Sequence, residues 1–244
     1  GEGCAGLYIR AVEYELREKY GQDTAAEEFF ELRPYLPQIP QYGPGTQIKE
    51  SVKAFEVRCG KSSFIIDKHS GAILSIRNGD DEYLRSPIEV NIWRAPTDND
   101  RRQIIHEWHN LGADAARPQV RECAAENGAV RICGVTGAFG KVPCLHFALK
   151  YRFRESGLGI KFDYELAPHV KSLPRAGIAF SVSGGFDAIT YLGYGPHESY
   201  IDTACLMRKD VFSVKINESF TDYIRPQECG SRFGTHWFEL EGEA

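Results

Sequence analysis

Residues 144–153 read "CLHFALKYRF". Leu145, Phe147, Leu149, Tyr151 and Phe153 share one parity, while His146, Ala148, Lys150 and Arg152 occupy the other. A strict period of two puts alternate side chains on opposite faces of an extended chain, so this stretch reads as a β-strand with one face on a core and one on solvent. The same pattern recurs on both sides. "GIKFDYEL" (159–166) places Ile160, Phe162, Tyr164 and Leu166 together, and "AGIAFSV" (176–182) does so with Ile178, Phe180 and Val182. Upstream, "SFIIDKHSGAILSI" (63–76) is two apolar runs joined by a turn, in which Gly71 stands where a hairpin calls for a left-handed residue. Half-buried strands separated by polar turns indicate antiparallel pairing, so the expected fold class is all-β, a large antiparallel β-sandwich of two sheets face to face.

One segment breaks the period. "RQIIHEWHNLGA" (102–113) spaces Ile104, Ile105, Trp108 and Leu111 for a helix face, which predicts one short helix near residues 103–111 ended by Gly112. Before the sandwich, "LYIRAVEYEL" (7–16) reads as a strand, and "DTAAEEFFELRP" (23–34) as either a short helix or a second strand. "PYLPQIPQYGPGTQ" (34–47) carries four Pro and two Gly, which forbid a regular ladder or helix. It is expected to be a linker with a domain boundary near residue 45, giving domains 1–45 and 46–244. The stop at "HWFELEGEA" (236–244), directly after a strong apolar segment, leads to the expectation that the sandwich is cut short at its C-terminus.

Composition excludes several classes of function. The formal net charge is −5 and no basic stripe occurs, which argues against a nucleic-acid footprint. No apolar run approaches eighteen residues, so no membrane-spanning helix is expected. The seven cysteines contain no Cys-x-x-Cys pair, a pattern suited to reduced thiols in a cytoplasmic protein. The sequon Asn217-Glu218-Ser219 carries little weight without a secretory signal.

Three stretches are dense in chemistry-bearing residues. "HEWH" puts His106 and His109 three residues apart, whereas a zinc helix of the metalloprotease type needs them at i and i+4, so an amphipathic helix is the better reading. "NIWRAPTDND" (91–100) offers Asp98 and Asp100 as a carboxylate pair for acid–base work, or as turn residues bonded to their own backbone. Arg94 is a bidentate donor for either Asp, which favours an internal polar network. "GYGPHESYID" (193–202) gathers His197, Glu198, Tyr200 and Asp202 behind a Gly-Pro turn, and reads as a sugar-handling His–Glu pair or a rigid polar corner.

Four ordered stretches carry a resemblance: "SPIEVNIWRAPTDND" (86–100), "LPRAGIAF" (173–180), "LGYGPHESYIDTACLMRKDVFSV" (192–214) and "FTDYIRPQECGSRFGTHW" (220–237). Together they resemble the C-terminal domain, or small chain, of the large bacterial β-galactosidases of glycoside hydrolase family 2. The N-terminal stretch resembles the end of the immunoglobulin-like domain that precedes it. The resemblance implies a supersandwich like that of the galactose mutarotases. It implies a role without chemistry of its own, since the family's two catalytic glutamates lie on a (β/α)8 barrel elsewhere in the polypeptide. Arg94, Asp98, Asn99, Asp100 and Arg101, together with His197 and Glu198, would then border the substrate pocket. The implied partners are the barrel and immunoglobulin-like domains, a β-galactoside and a second copy in a homo-oligomer. No cofactor is implied for this chain, and Mg and Na only for the full-length enzyme. The family's late tryptophan platform is expected beyond Ala244.

Some positions depart from the family pattern. Arg101-Arg102 follow the "DND" where a Gly is common, Ile201 and Thr203 stand in place of a Pro and an Arg, and Cys229 stands in place of an Asn. Two other classes of function compete with the accessory-domain reading. One is an aldose epimerase using His197 and Glu198. The other is a carbohydrate-binding module with Trp93, Trp108 or Trp237 as a stacking platform.

Overall fold

The computed structural model describes residues 6–12, 24–31 and 45–242. The chain divides into two compact units, residues 39–184 and residues 1–38 with 185–244. The Pro-rich stretch 34–44 lies outside the described residues.

In the second unit, Gly6–Val12 (β1) and Thr24–Glu31 (β2) form an antiparallel pair, so the ambiguous stretch after Asp23 is a strand. Unit 39–184 is built from two antiparallel sheets. The larger contains Gln47–Glu50 (β3), Ala54–Cys59 (β4), Ser62–Asp67 (β5), Ile73–Asn78 (β6), Asp81–Glu82 (β7) and Leu84–Asn91 (β8). The smaller runs in sequence order through Arg117–Glu126 (β9), Ala129–Gly137 (β10), Leu145–Arg154 (β11) and Gly157–Leu166 (β12). Gly177–Val182 (β13) returns to the larger sheet beside β8 and forms its edge.

The period of two dictates the packing. Leu145, Phe147, Leu149, Tyr151 and Phe153 of β11 are all at most 4% exposed, and they meet Phe55, Val57, Phe64 and Ile66 of β4 and β5 in one core. The Phe64 and Phe153 rings stand 5.1 Å apart across the sheets. On the edge strands the pattern is only partly cashed in burial. Tyr164 and Phe180 have the parity of their half-buried neighbours yet remain exposed at 52% and 47%, because an edge strand has packed neighbours on one side only. Six cysteines are free thiols among the described residues. Cys59 and Cys144 are buried apolar fillers, and burial pushes the Cys144 thiol above its ordinary range.

One polar bond crosses this apolar core. Gly71 adopts φ +78° in the β5–β6 turn, as the turn reading required, and its carbonyl accepts a 2.8 Å hydrogen bond from the Tyr151 hydroxyl. Burial pushes the Tyr151 hydroxyl well above the ordinary phenol range, so it stays protonated and remains a donor.

The helical segment differs from expectation. The expected helix is present as Ile105–Leu111, ended by Gly112 at φ +73°, but a separate six-residue helix precedes it. These are α1 (Asp98–Gln103) and α2 (Ile105–Leu111). The "DND" stretch therefore opens a helix rather than closing a turn. Thr97 is an extended N-cap, and Asp98 and Asp100 in the first turn suit the positive end of the helix dipole. Trp108 of α2 is buried in the core, and its indole N–H reaches the Ser172 hydroxyl at 3.4 Å.

In the remaining unit, Arg208–Lys215 (β15), Ala188–Gly195 (β14) and Trp237–Glu241 (β16) form a three-stranded antiparallel sheet with β14 at its centre. Tyr191 of β14 is fully buried against Phe212 of β15. Among the described residues, no helix is long and apolar enough to cross a membrane.

Tyr151→Phe removes the only polar tie from Tyr151 to the β5–β6 turn while keeping the ring. It strands a carbonyl inside the core, so urea denaturation is expected to show a loss of about 1–2 kcal/mol. An unchanged midpoint would show that the carbonyl finds another donor.

Candidate functional site

The sequence-predicted residues fall into two groups, one in each unit. The first is organised around Asp100. One guanidinium nitrogen of Arg94, Nη1, donates to Asp100 Oδ2 at 2.6 Å, and Nη2 donates to Oδ1 at 3.3 Å. The Thr97 backbone N–H and hydroxyl both donate to Oδ2, at 2.7 and 2.8 Å. The bond from the Thr97 N–H is the reaching-back half of a capping box, with Asp100 three residues past the cap. The side chains of Arg94 and Asp100 are only 18% and 13% exposed. Partial burial pushes the Asp100 carboxyl up, but the bonds from Arg94 and Thr97 and the Arg94 charge outweigh it and hold the group below the ordinary Asp range.

Asp98 is half-buried beside this network, and Asn99 and Arg101 point to solvent. The Arg94 guanidinium also lies 5.7 Å from the Trp108 ring centroid, and Trp93 meets Trp108 edge-on at 6.4 Å. The network is thus fastened to the core through Trp108, which as a buried side chain is no platform for sugar stacking. His109 contacts the Trp93 ring and holds Asp114 at 3.1 Å through Nδ1.

The second group is the corner after β14. His197 is exposed. Glu198 Oε2 accepts the Gly230 backbone N–H at 2.9 Å. Ser199, fully buried, donates its hydroxyl to the Tyr194 carbonyl and accepts from the Phe233 N–H, both at 3.0 Å. Its own N–H donates to the Ser231 carbonyl. Thr203 hydroxyl accepts from the Tyr200 N–H at 3.0 Å and so closes the next turn, which gives this departure from the family pattern a structural role. The Cys229 thiol similarly donates to the Thr221 carbonyl at 3.2 Å. Asp202 and Ile201 are exposed.

Two hollows flank this corner. One of about 280 Å³ is bordered by His197, Glu198, Glu218 and Arg232. The other, about 570 Å³, is bordered by Tyr191, Arg232, His236, Trp237 and Phe238. Arg232 shares in both, and its guanidinium lies 5.5 Å from the Tyr191 ring centroid. Sequence reasoning overlooked Ser199 and Arg232. Ser231 and Phe233, to which Ser199 bonds, and Tyr191, over which Arg232 lies, are more than thirty residues away in sequence, and no motif in the sequence links them.

The carboxylate of Asp100 gives a stability signature. Its folded form titrates below the unfolded range near pH 4, so its stabilisation is present above about pH 4 and is lost as pH falls through the lower folded value. Asp100→Asn is expected to lower stability at pH 7 by about 1–3 kcal/mol and to flatten this acid limb of a pH–stability profile measured by denaturant titration. A variant with the parent's profile would show that the carboxylate charge contributes nothing.

Comparison with known proteins bears on both groups. Residues 58–244, which contain both, match the family described as beta galactosidase small chain. A β-galactosidase of Actinobacillus pleuropneumoniae is 28% identical over 221 residues, covering 87% of this chain and 22% of that protein. One from Priestia megaterium is 27% identical over 242 residues, with 91% and 22% covered. One from Kluyveromyces lactis is 24% identical over 253 residues, with 97% and 24% covered. The chain spans about a fifth to a quarter of the length of these relatives. Matched along three quarters of its residues and carrying both motif groups in folded, bonded form, the chain belongs to the β-galactosidase small-chain family.

Proposed function

We propose that the chain is the non-catalytic C-terminal part of a β-galactosidase that hydrolyses terminal, non-reducing β-D-galactose residues. Residues 1–45 belong to the preceding immunoglobulin-like domain and its linker, and residues 46–244 to the small-chain domain. The chemistry is supplied by a (β/α)8 barrel of the same polypeptide, and the Arg94–Arg101 segment with His197 and Glu198 borders its sugar pocket. The enzyme works in the cytoplasm, as a homo-oligomer, and this part of it holds no cofactor.

The observation that carries this reading is the commitment of Asp100. Its two oxygens already accept four hydrogen bonds, from Arg94 and Thr97, and its charge is held below the usual range. A general base needs a free lone pair and a pKa near the working pH, whereas this carboxylate is built to fix the start of α1. A second support is exposed apolar surface. Ile201, Leu206, Phe220 and Ile224 are 70% or more exposed, all within one stretch of 24 residues, as expected of a surface that further domains cover.

A panel of nitrophenyl glycosides tests the proposal, with the natural polypeptide that carries this sequence assayed beside the 244-residue chain. The expected outcome is cleavage of the β-galactoside by the former and none by the chain. Turnover by the chain alone, or failure of the natural polypeptide on the β-galactoside, would overturn it.

One feature favours a second reading, a carbohydrate-binding module. Trp237, half-buried, borders the larger hollow with Tyr191, Phe238 and the cationic Arg232. Calorimetric titration with galactose and lactose decides it. Saturable heat that disappears in Trp237→Ala supports sugar stacking there, and a parent that gives none rules it out.

A further inference from the structure

A row of like charges crosses the outer face of the smaller sheet. The register sets Arg131 of β10 opposite Lys150 of β11, and Lys150 opposite Lys161 of β12. Directly opposed side chains on neighbouring strands have Cβ atoms about 4.5–5.5 Å apart, and like charges there are destabilising. Lys161 is offset by Asp163, whose carboxylate lies 2.7 Å from its ammonium. The side chains of Arg131 and Lys150 make no ion pair or hydrogen bond among the described residues. The chain as a whole is acidic, at net charge −5, so this row is not part of a general cationic excess.

The next row explains what the repulsion surrounds. Cys133, Ala148 and Asp163 stand side by side, with Glu122 of β9 opposite Cys133. Two of these side chains are small, and a hollow of about 280 Å³ opens above them, bordered by Arg131, Cys133, Ala148, Lys150, Lys161 and Asp163. Two unpaired cations therefore face a cavity with room for more than a water molecule.

We propose that this hollow is an anion site for a phosphate-class dianion, either inorganic phosphate or the phosphate group of a sugar phosphate. The Arg131 guanidinium offers a planar fork that matches two phosphate oxygens, and Lys150 supplies a compact charge beside it. A dianion between them turns a repulsive cross-strand pair into two attractive contacts, so binding relieves the row as well as adding bonds. The site uses only residues of the smaller sheet and does not depend on the assignment of the enzymatic reaction.

The test uses the natural polypeptide that carries this sequence, with thermal unfolding and calorimetry at constant ionic strength in chloride. The probes are inorganic phosphate, a hexose 6-phosphate and the matching neutral hexose. The expected result is a saturable rise in Tm with phosphate that is at least tenfold weaker in apparent affinity in Arg131→Gln and Lys150→Gln. Without phosphate, Lys150→Gln is expected to melt no lower than the parent, because one like-charge contact is gone. Ala148→Asp adds to the hollow a second carboxylate, which, unlike that of Asp163, is not offset by Lys161, and is expected to remove the response to phosphate while keeping the fold. Tighter binding of the hexose phosphate supports the site with a sugar phosphate as its source, and equal binding supports it with free phosphate. A Tm that follows phosphate no more than chloride, or variants that bind as the parent does, would overturn the proposal.

Discussion

Closure of two sheets over the apolar face of β11 is the constraint on which unit 39–184 depends. Five alternate side chains from Leu145 to Phe153 are excluded from water, and each fully buried side chain of this size contributes about 1.5–3 kcal/mol. A slip of one residue would turn all five outwards and bring His146, Lys150 and Arg152 into the core, so burial fixes which face of β11 points inwards. The Tyr151–Gly71 bond adds direction to this non-directional force. It pins one point of β11 to one turn of the opposite sheet, and the left-handed Gly71 presents its carbonyl at that point.

Polar residues then fix what burial leaves loose. The chain leaves the larger sheet after Asn91 and must start a helix within seven residues. Asp100 manages this by serving two masters: it accepts the Thr97 N–H as a helix-capping side chain and takes the Arg94 guanidinium as an ion pair. The corner after β14 follows the same logic with other residues. Glu198 and Ser199 accept backbone N–H groups from the 230–233 strip, which no strand ladder would otherwise satisfy. In both places acidic or hydroxyl side chains that look suited to chemistry are spent on backbone groups.

The strands of the sandwich were legible because a period of two is a strong signal over ten residues, and the Gly71 and Gly112 positions were legible because few other residues tolerate a left-handed backbone. The helix at Asp98–Gln103 was not, since Asp and Asn favour both turns and first helical turns, and only the Thr97 cap three residues before Asp100 separates the two. That Arg94 pairs with a carboxylate of the "DND" stretch could be read from charge and proximity, but not that the bidentate partner is Asp100. The bonds of Ser199 to Phe233 and of Glu198 to Gly230 could not, because the partners are backbone groups more than thirty residues away, on which a single sequence leaves no mark. Exposure of Tyr164 and Phe180 was likewise hidden: parity gives a face but not whether a strand lies at an edge.

The central claim is that the carboxylate of the "DND" stretch serves architecture. A double-mutant cycle on Arg94→Gln and Asp100→Asn, read by denaturant unfolding of the natural polypeptide, tests it most directly. The account predicts a coupling of about 1 kcal/mol or more between the two sites, with turnover per folded molecule retained in Asp100→Asn. Additive effects on stability, together with abolished turnover in a fully folded Asp100→Asn protein, would contradict it.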